Sequence, residues 1–153
     1  MENSIKILDG GVATDDRGCV RFVNDFDFNG VKRFYQVENY KRGFIRAWHG
    51  HKNEAKYVYV AKGSAIIGAI RMPTILNGTE IKSSAASPKP QKFILNANKP
   101  QVLYIPEGYA NGAKTLEEGT IIQYFSTSSL DESLGDDIRF AHDKWDIWKS
   151  EYR

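Results

Sequence analysis

Residues 46–63 read RAWHGHKNEAKYVYVAKG: two histidines one residue apart, then an alternating aromatic run closed by a glycine. That pattern reads as strand. Residues i and i+2 of a strand share a face, so His49 and His51 point to one side while Trp48 and Gly50 point to the other. Two imidazoles on one face can bind a metal or move protons.

On either side of this stretch the chain is a succession of short strand-like runs broken by Gly, Asn, Asp and Pro, which is the signature of a sandwich or barrel. Residues 5–8 open it and Asp9-Gly10-Gly11 turns it. A tight turn at Asp15-Asp16-Arg17-Gly18 leads into 19–23, and a turn at Asn29-Gly30 precedes an alternating strand over 31–38. Residues 64–72 are apolar enough to be buried on both faces. The polar stretch 73–90 is expected to be a hairpin with Asn77-Gly78 at its tip and a loose Ser/Pro-rich continuation. Residues 93–95, 101–105 and 120–126 supply further strands. The pattern changes at Leu130, and Trp145, Ile147 and Trp148 are expected to pack as a C-terminal segment on the outside of the barrel.

A chain of 153 residues is one domain's worth, expected to span 1–153 without linker or repeat, and large enough to bury a core without staples. A single cysteine, Cys19, excludes an internal disulfide and fits a reducing compartment. No apolar run approaches the ~20 residues of a membrane span, and residues 1–10 show no signal-peptide pattern, so the expected location is the cytoplasm. A net charge of +2 is too small to argue for nucleic acid or an acidic membrane surface as partner.

The spacing Gly43, His49, His51, Gly63 resembles the first cupin motif, and IPEGYAN at 105–111 resembles the second. The glutamate position of the first motif falls on Lys56, with Glu54 too early to fit, and the last histidine position of the second falls on Asn111. A lysine beside two histidines opposes a divalent ion and suits an anionic intermediate. The expectation is an all-β cupin, a jelly-roll barrel that has given up its metal and needs no cofactor.

Nearly the whole chain is similar to the dTDP-4-dehydrorhamnose 3,5-epimerase family and to the sugar 3,4-ketoisomerases. The epimerase-like features are Asp15-x-Arg17-Gly18, Asn39, Gly43-x-x-Arg46-x-x-His49, the 105–116 segment and the Trp-containing end. Ketoisomerase-like are the short length, Lys32-Arg33-Phe34-Tyr35, the run Arg46-x-x-His49-x-His51-Lys52, and Asp131-Glu132-Ser133 followed by Asp137-Ile138-Arg139. The resemblance implies action on a nucleotide-linked 4-keto-6-deoxyhexose, whose ketone acidifies the neighbouring C–H bonds so that a base can generate an enolate. It makes His49 the base, paired with a carboxylate taken to be Asp143, although Asp136, Asp137 and Asp146 compete and no spacing selects among them. It makes Lys56 the stabiliser of the enolate. It places Arg46 and Arg17 on the nucleotide's phosphates, Arg17 reaching into a partner subunit's site in a homodimer that exchanges strands.

Asn39, Asn111 and Tyr109 are the further candidates for substrate contact. In the ketoisomerase reading His49 and His51 share the proton transfers and Tyr35 assists. The epimerase family's acid is a tyrosine after the last barrel strand, where this chain has 126–130 as STSSL, and Tyr124 is expected to differ in face or depth. That departure leaves single epimerisation, ketoisomerisation, or binding of a sugar nucleotide without turnover.

Overall fold

The computed structural model describes residues 4–81, 87–151 and 153. Its strands are β1 (Lys6–Asp9), β2 (Gly11–Asp15), β3 (Gly18–Phe22), β4 (Arg33–Glu38), β5 (Ile45–His51), β6 (Lys56–Lys62), β7 (Ser64–Arg71), β8 (Thr74–Leu76), β9 (Thr79–Ile81), β10 (Gln91–Asn96), β11 (Gln101–Ile105), β12 (Tyr109–Thr115), β13 (Ile121–Ser126) and, after the one-turn helix α1 (Leu130–Leu134), β14 (Ile138–Arg139). Two five-stranded antiparallel sheets face each other, ordered β1-β11-β6-β13-β4 and β10-β7-β12-β5-β14. From β5 to β7 and from β10 to β13 the chain changes sheet at every connection except the long one between β7 and β10, which closes the jelly-roll barrel. Gly63 makes the crossing from β6 to β7 with φ +78, where a Cβ would also run into Thr120.

Alternation along the strands decides what fills the barrel. On the inner face, Val58 and Val60 of β6, Leu103 and Ile105 of β11, and Ile122 of β13 pack on Ala65, Ile67 and Ala69 of β7, Leu95 of β10 and Ala113 of β12. The same inward register continues toward the other end of the barrel with polar residues: Arg33 and Tyr35 of β4, His49 and His51 of β5, Lys56 of β6, and Asn111 of β12. One end of the interior is therefore an apolar plug and the other a polar cleft.

A second core lies outside the second sheet, where Trp48, Ile66, Ile70 and Ala110 meet Phe140, Trp145, Ile147 and Trp148 of the C-terminal segment. Every residue of β7 from Ser64 to Ile70 is buried, as its uninterrupted apolar run anticipates. The groove for the tryptophans is made by Gly68 and Gly112, which are cross-strand partners in β7 and β12. The Trp48 and Trp148 rings pass within 2.6 and 3.1 Å of where a Gly68 Cβ would stand, so no larger residue fits beneath them.

Two local features go beyond the sequence reading. Residues 109–112, for which the sequence suggested no strand, form part of β12, a central strand of the second sheet bonded to both β5 and β7. The segment after Leu130 begins with a helix whose Ser129 cap accepts from the Glu132 N–H while the Glu132 carboxylate accepts from the Ser129 N–H. The hairpin with Asn77-Gly78 at its tip is present as β8 and β9, and its continuation falls in part on residues 82–86, outside the described residues.

Candidate active site

The polar end of the barrel opens as a cleft of about 240 Å³ lined by Arg33, Tyr35, Val37, Arg46, His49, His51, Lys56, Asn111, Tyr124, Ser133, Leu134, Asp137 and Arg139. Strand register produces this gathering. Asn111, His49 and Arg139 are directly opposite one another across β12, β5 and β14, and Asn111 Nδ2 donates to the His49 carbonyl at 3.3 Å. Tyr35 and Tyr124 are partners across β4 and β13, and their rings stack with centroids 4.9 Å apart and planes 10° from parallel. Lys56 lies opposite Ser126, its Nζ 5.8 and 6.0 Å from the centroids of the two rings.

The turn between β5 and β6 is clamped from the C-terminal side by one residue. Asp136 accepts from the Lys52 and Asn53 N–H groups at 2.9 and 2.7 Å, and its carbonyl oxygen lies 2.6 Å from His51 Nδ1. A carbonyl only accepts, so Nδ1 carries a proton and Nε2 holds the lone pair of the neutral ring. Beneath His51, Glu54 is fully enclosed, its carboxylate accepting from Ser126 Oγ at 2.7 Å, Ser133 Oγ at 2.8 Å and Arg33 Nη2 at 3.3 Å.

The electrostatics follow from burial and from four cations, Arg33, Arg46, Lys56 and Arg139, around one lining carboxylate, Asp137. Burial, then Arg139 and Lys56, push His49 down to about 4. His51 is lowered by burial and by Lys56, partly offset by Glu54. Lys56 is lowered by burial, against the opposing pull of Glu54. For Glu54 burial pulls upward, but the bonds from Ser126 and Ser133 and the charge of Lys56 outweigh it and hold the carboxyl below its usual range. Tyr35 and Tyr124 are pushed far up by burial, which keeps both as neutral hydroxyls. The cleft thus holds two imidazoles that favour the neutral, proton-accepting form beside an ammonium and two neutral phenols.

Of the residues expected from sequence, His49, His51, Lys56, Tyr35, Arg46 and Asn111 meet in this cleft. Asn39 does not line it; it is buried behind, and its Oδ1 accepts from Arg46 Nε at 2.7 Å, so it orients that guanidinium. Asp143 is exposed and away from the cleft, and the carboxylate that lines it is Asp137, bonded through both oxygens to Arg139 Nε at 3.0 and 2.9 Å. Tyr109 is a core residue, 7% exposed, with Arg71 against its ring at 5.2 Å. Arg17 sits at the exposed tip of the β2–β3 hairpin, paired with Asp15 and outside the cleft of its own chain. Tyr124, expected to differ in face or depth from the epimerase family's tyrosine, lines the cleft from β13 with its ring stacked on Tyr35.

Sequence reading set Glu54 aside as too early for the first motif and gave Arg33 and Arg139 no role of their own. Arg33 and Arg139 stood inside stretches that carried the ketoisomerase resemblance, and Glu54 carried no signal beyond its closeness to His51. Among the described residues, no group of three or more His, Cys, Asp or Glu is arranged to hold a metal ion.

Residues 3–151 match the family model described as dTDP-4-dehydrorhamnose 3,5-epimerase. The chain belongs to the dTDP-4-dehydrorhamnose 3,5-epimerase family. It is 26% identical over 159 residues, covering 100% of both chains, to the spore coat polysaccharide biosynthesis protein SpsL of Bacillus subtilis (strain 168). Among solved structures it is similar to a dTDP-4-dehydrorhamnose 3,5-epimerase from Sulfolobus tokodaii, with a TM-score of 0.73 and 24% identity, covering 93% of this chain and 80% of that one. It is also similar to a 3,4-ketoisomerase from Helicobacter canadensis, with a TM-score of 0.64 and 20% identity, covering 91% and 92%. These structural likenesses establish the cupin-type barrel shared by both branches.

Proposed function

We propose that this protein is a metal-independent epimerase or isomerase of a nucleotide-linked 4-keto-6-deoxyhexose, of the dTDP-sugar type, serving synthesis of a polysaccharide. The observation that carries the reading is the pair His49 and His51, both biased to the neutral form, facing Lys56 in a cleft rimmed by arginines. A histidine removes the proton next to the ketone, its electron pair moves onto the ketone oxygen, and the Lys56 ammonium stabilises the enolate so formed. Arg33, Arg46 and Arg139 supply guanidinium donors for a diphosphate. Tyr124 supplies a buried phenol in the cleft, which supports turnover over mere binding. Asp137 and Arg139 steady the wall beside His49.

Two features favour 3,4-ketoisomerisation as the second reading. A second histidine stands at His51, and the chain covers nearly the full length of the Helicobacter canadensis ketoisomerase. We also infer a homodimer: Val12, Val20 and Phe22 of the β2–β3 hairpin are exposed, 65% in the case of Val20, and Arg17 at its tip, held by Asp15 of the same turn, is exposed and would reach a partner's cleft.

The test is NMR of dTDP-4-keto-6-deoxyglucose in heavy water with the wild-type protein and His49→Ala. Deuterium entering at C3 or C5, and lost in the variant, supports the reading. A shifted ketone assigns the isomerase branch. No exchange with this substrate, despite saturable binding, replaces it with a non-catalytic sugar-nucleotide-binding protein.

A further inference from the structure

We propose that Arg139 is a substrate-operated cover for Asp137: in the empty cleft it holds that carboxylate, and the diphosphate of an entering sugar nucleotide draws it off, leaving Asp137 to support the charge that His49 takes up as base. The inference rests on the enolising function proposed above, with His49 as the base, and gives Asp137 a positioning role.

Strand register brings the three groups together. Arg139 of β14 stands directly opposite His49 of β5, an arrangement that sets Cβ atoms about 4.5–5.5 Å apart. Asp137 precedes Ile138, the partner of Gly50, and so lies diagonally across from His49, at the roughly 7–8 Å of such pairs. All three residues line the cleft. The backbone on both sides of Asp137 is tied to β5 and the turn after it, through the ladder at Ile138 and Arg139 and through the bonds from the Lys52 and Asn53 N–H groups to Asp136. An exchange of partners therefore needs only rotation of the Arg139 side chain.

The ion pair is built to part. Arg139 reaches both Asp137 oxygens through Nε alone, at 3.0 and 2.9 Å, and not as two parallel guanidinium bonds. Its side chain is 67% exposed and that of Asp137 28%, which keeps the pair weak. Among the described residues, the two terminal nitrogens of Arg139 donate to nothing. A diphosphate offers them several anionic oxygens in fork geometry. Arg33 is held instead by the enclosed Glu54, and Arg46 by the neutral Asn39, so neither can release a carboxylate into the cleft.

The charged and titratable groups around His49 are Arg139 and Asp137 of the β14 segment, Lys56 of β6, His51 and Arg46 of its own strand, and Tyr35 and Tyr124 of the facing sheet. In the empty cleft burial, then Arg139 and Lys56, hold His49 down to about 4, and Asp137 opposes them. The carboxylates acting on His51 are different ones, Glu54 and Asp136. Moving Arg139 onto an anion offsets an opposing charge and uncovers a supporting one, so both changes make His49 a stronger base. In the reaction the C–H bond beside the ketone breaks, its proton passes to His49 and its electron pair to the ketone oxygen. Asp137 takes no proton.

The experiment is an NMR titration of the histidine ring protons, without ligand and with saturating dTDP, which carries no sugar to enolise. The proteins are wild type, Arg139→Gln, Asp137→Asn and the double variant, and kcat, KM and the pH profile of heavy-water exchange are measured alongside. Without ligand, the His49 pKa is expected to rise by about one to three units in Arg139→Gln and by clearly less in the double variant, the gap being the effect of the uncovered Asp137. dTDP is expected to raise it by about one unit more in wild type than in Asp137→Asn. Asp137→Asn should lower kcat about tenfold, the equivalent of one pKa unit, at nearly unchanged KM, and move the acid limb to lower pH. Arg139→Gln should raise KM and move that limb to higher pH, and Asp137→Glu should restore part of kcat. Equal rises in Arg139→Gln and the double variant overturn the proposal. So does a dTDP-induced rise of the same size in wild type and Asp137→Asn, which the ligand's own charge would explain. If the double variant does not fold, the dTDP comparison of wild type with Asp137→Asn decides alone. Failure of dTDP to bind would overturn the sugar-nucleotide reading and the switch with it, whereas binding that leaves His49 unchanged overturns the switch alone.

Discussion

Replacing Trp148 by alanine tests whether the C-terminal segment is an integral wall of the cleft or an appendage. Trp148 is 3% exposed, its ring 5.1 Å from that of Trp48 in the groove over Gly68 and Gly112, and its Nε1 donates to the His142 carbonyl at 3.0 Å. Truncating a buried tryptophan costs about 3–5 kcal/mol in transfer and cavity terms, and the lost hydrogen bond adds about 1 kcal/mol. At about 2–4 °C per kcal/mol for a domain of this size, Tm should fall by roughly 10–20 °C. The loss reaches the site because Phe140 exchanges two backbone bonds with Trp48, and the residues just before it, Ile138 and Arg139, pair with Gly50 and His49. Activity measured well below the lowered Tm should therefore also fall. The assay is thermal and urea unfolding followed by circular dichroism, with Trp148→Phe as an intermediate step. A fall in Tm of less than about 4 °C, or a separate early transition with the main one unmoved, would show that the segment does not fold cooperatively with the barrel.

Two further outcomes follow from the charges in the cleft. Lys56→Met removes the candidate enolate stabiliser, and kcat should fall by about 10²–10³. Because Lys56 lowers both histidines, the acid limb of the pH profile should move upward in that variant, and an unchanged kcat would dismiss the role. Stability should fall as pH drops from about 6.5 toward about 4, since the unfolded chain takes up a proton at His49 that the folded protein refuses. Urea unfolding at a series of pH values should show this slope weakened in His49→Gln, and an equal slope in both proteins would locate the dependence elsewhere.

Much of the barrel was legible because period-two alternation survives in the strands that form it. His49 and His51 share a face, Trp48 opposes them, and the unbroken apolar run of β7 is buried on both sides as such a run implies. The strand at Tyr109–Thr115 was hidden because Pro106, Gly108 and Gly112 look like turn chemistry, whereas Gly112 is there to admit Trp148 and the Ala47 methyl. The carboxylates could not be told apart for a related reason. Asp136, Asp137, Asp143 and Asp146 are equivalent in sequence, and only the pairing of β14 with β5 brings Asp137 to the cleft and turns Asp136 onto the β5–β6 turn.

The sequence by itself determined the fold class, the family, and the core of the candidate site: His49, His51, Lys56, Arg46, Tyr35 and Asn111. These residues lie in or beside motifs whose spacing is local, so strand periodicity aims them without reference to the rest of the chain. Only the tertiary structure decided that Glu54 lies buried under His51, that Tyr124 faces the cleft against Tyr35, that Arg33 and Arg139 complete its cationic rim, and that Tyr109 belongs to the core. The bonds that place Glu54 run to Ser126 and Ser133, 72 and 79 residues away. Contacts at such separations are fixed by how two sheets close and a helix docks on them, and no local periodicity encodes that.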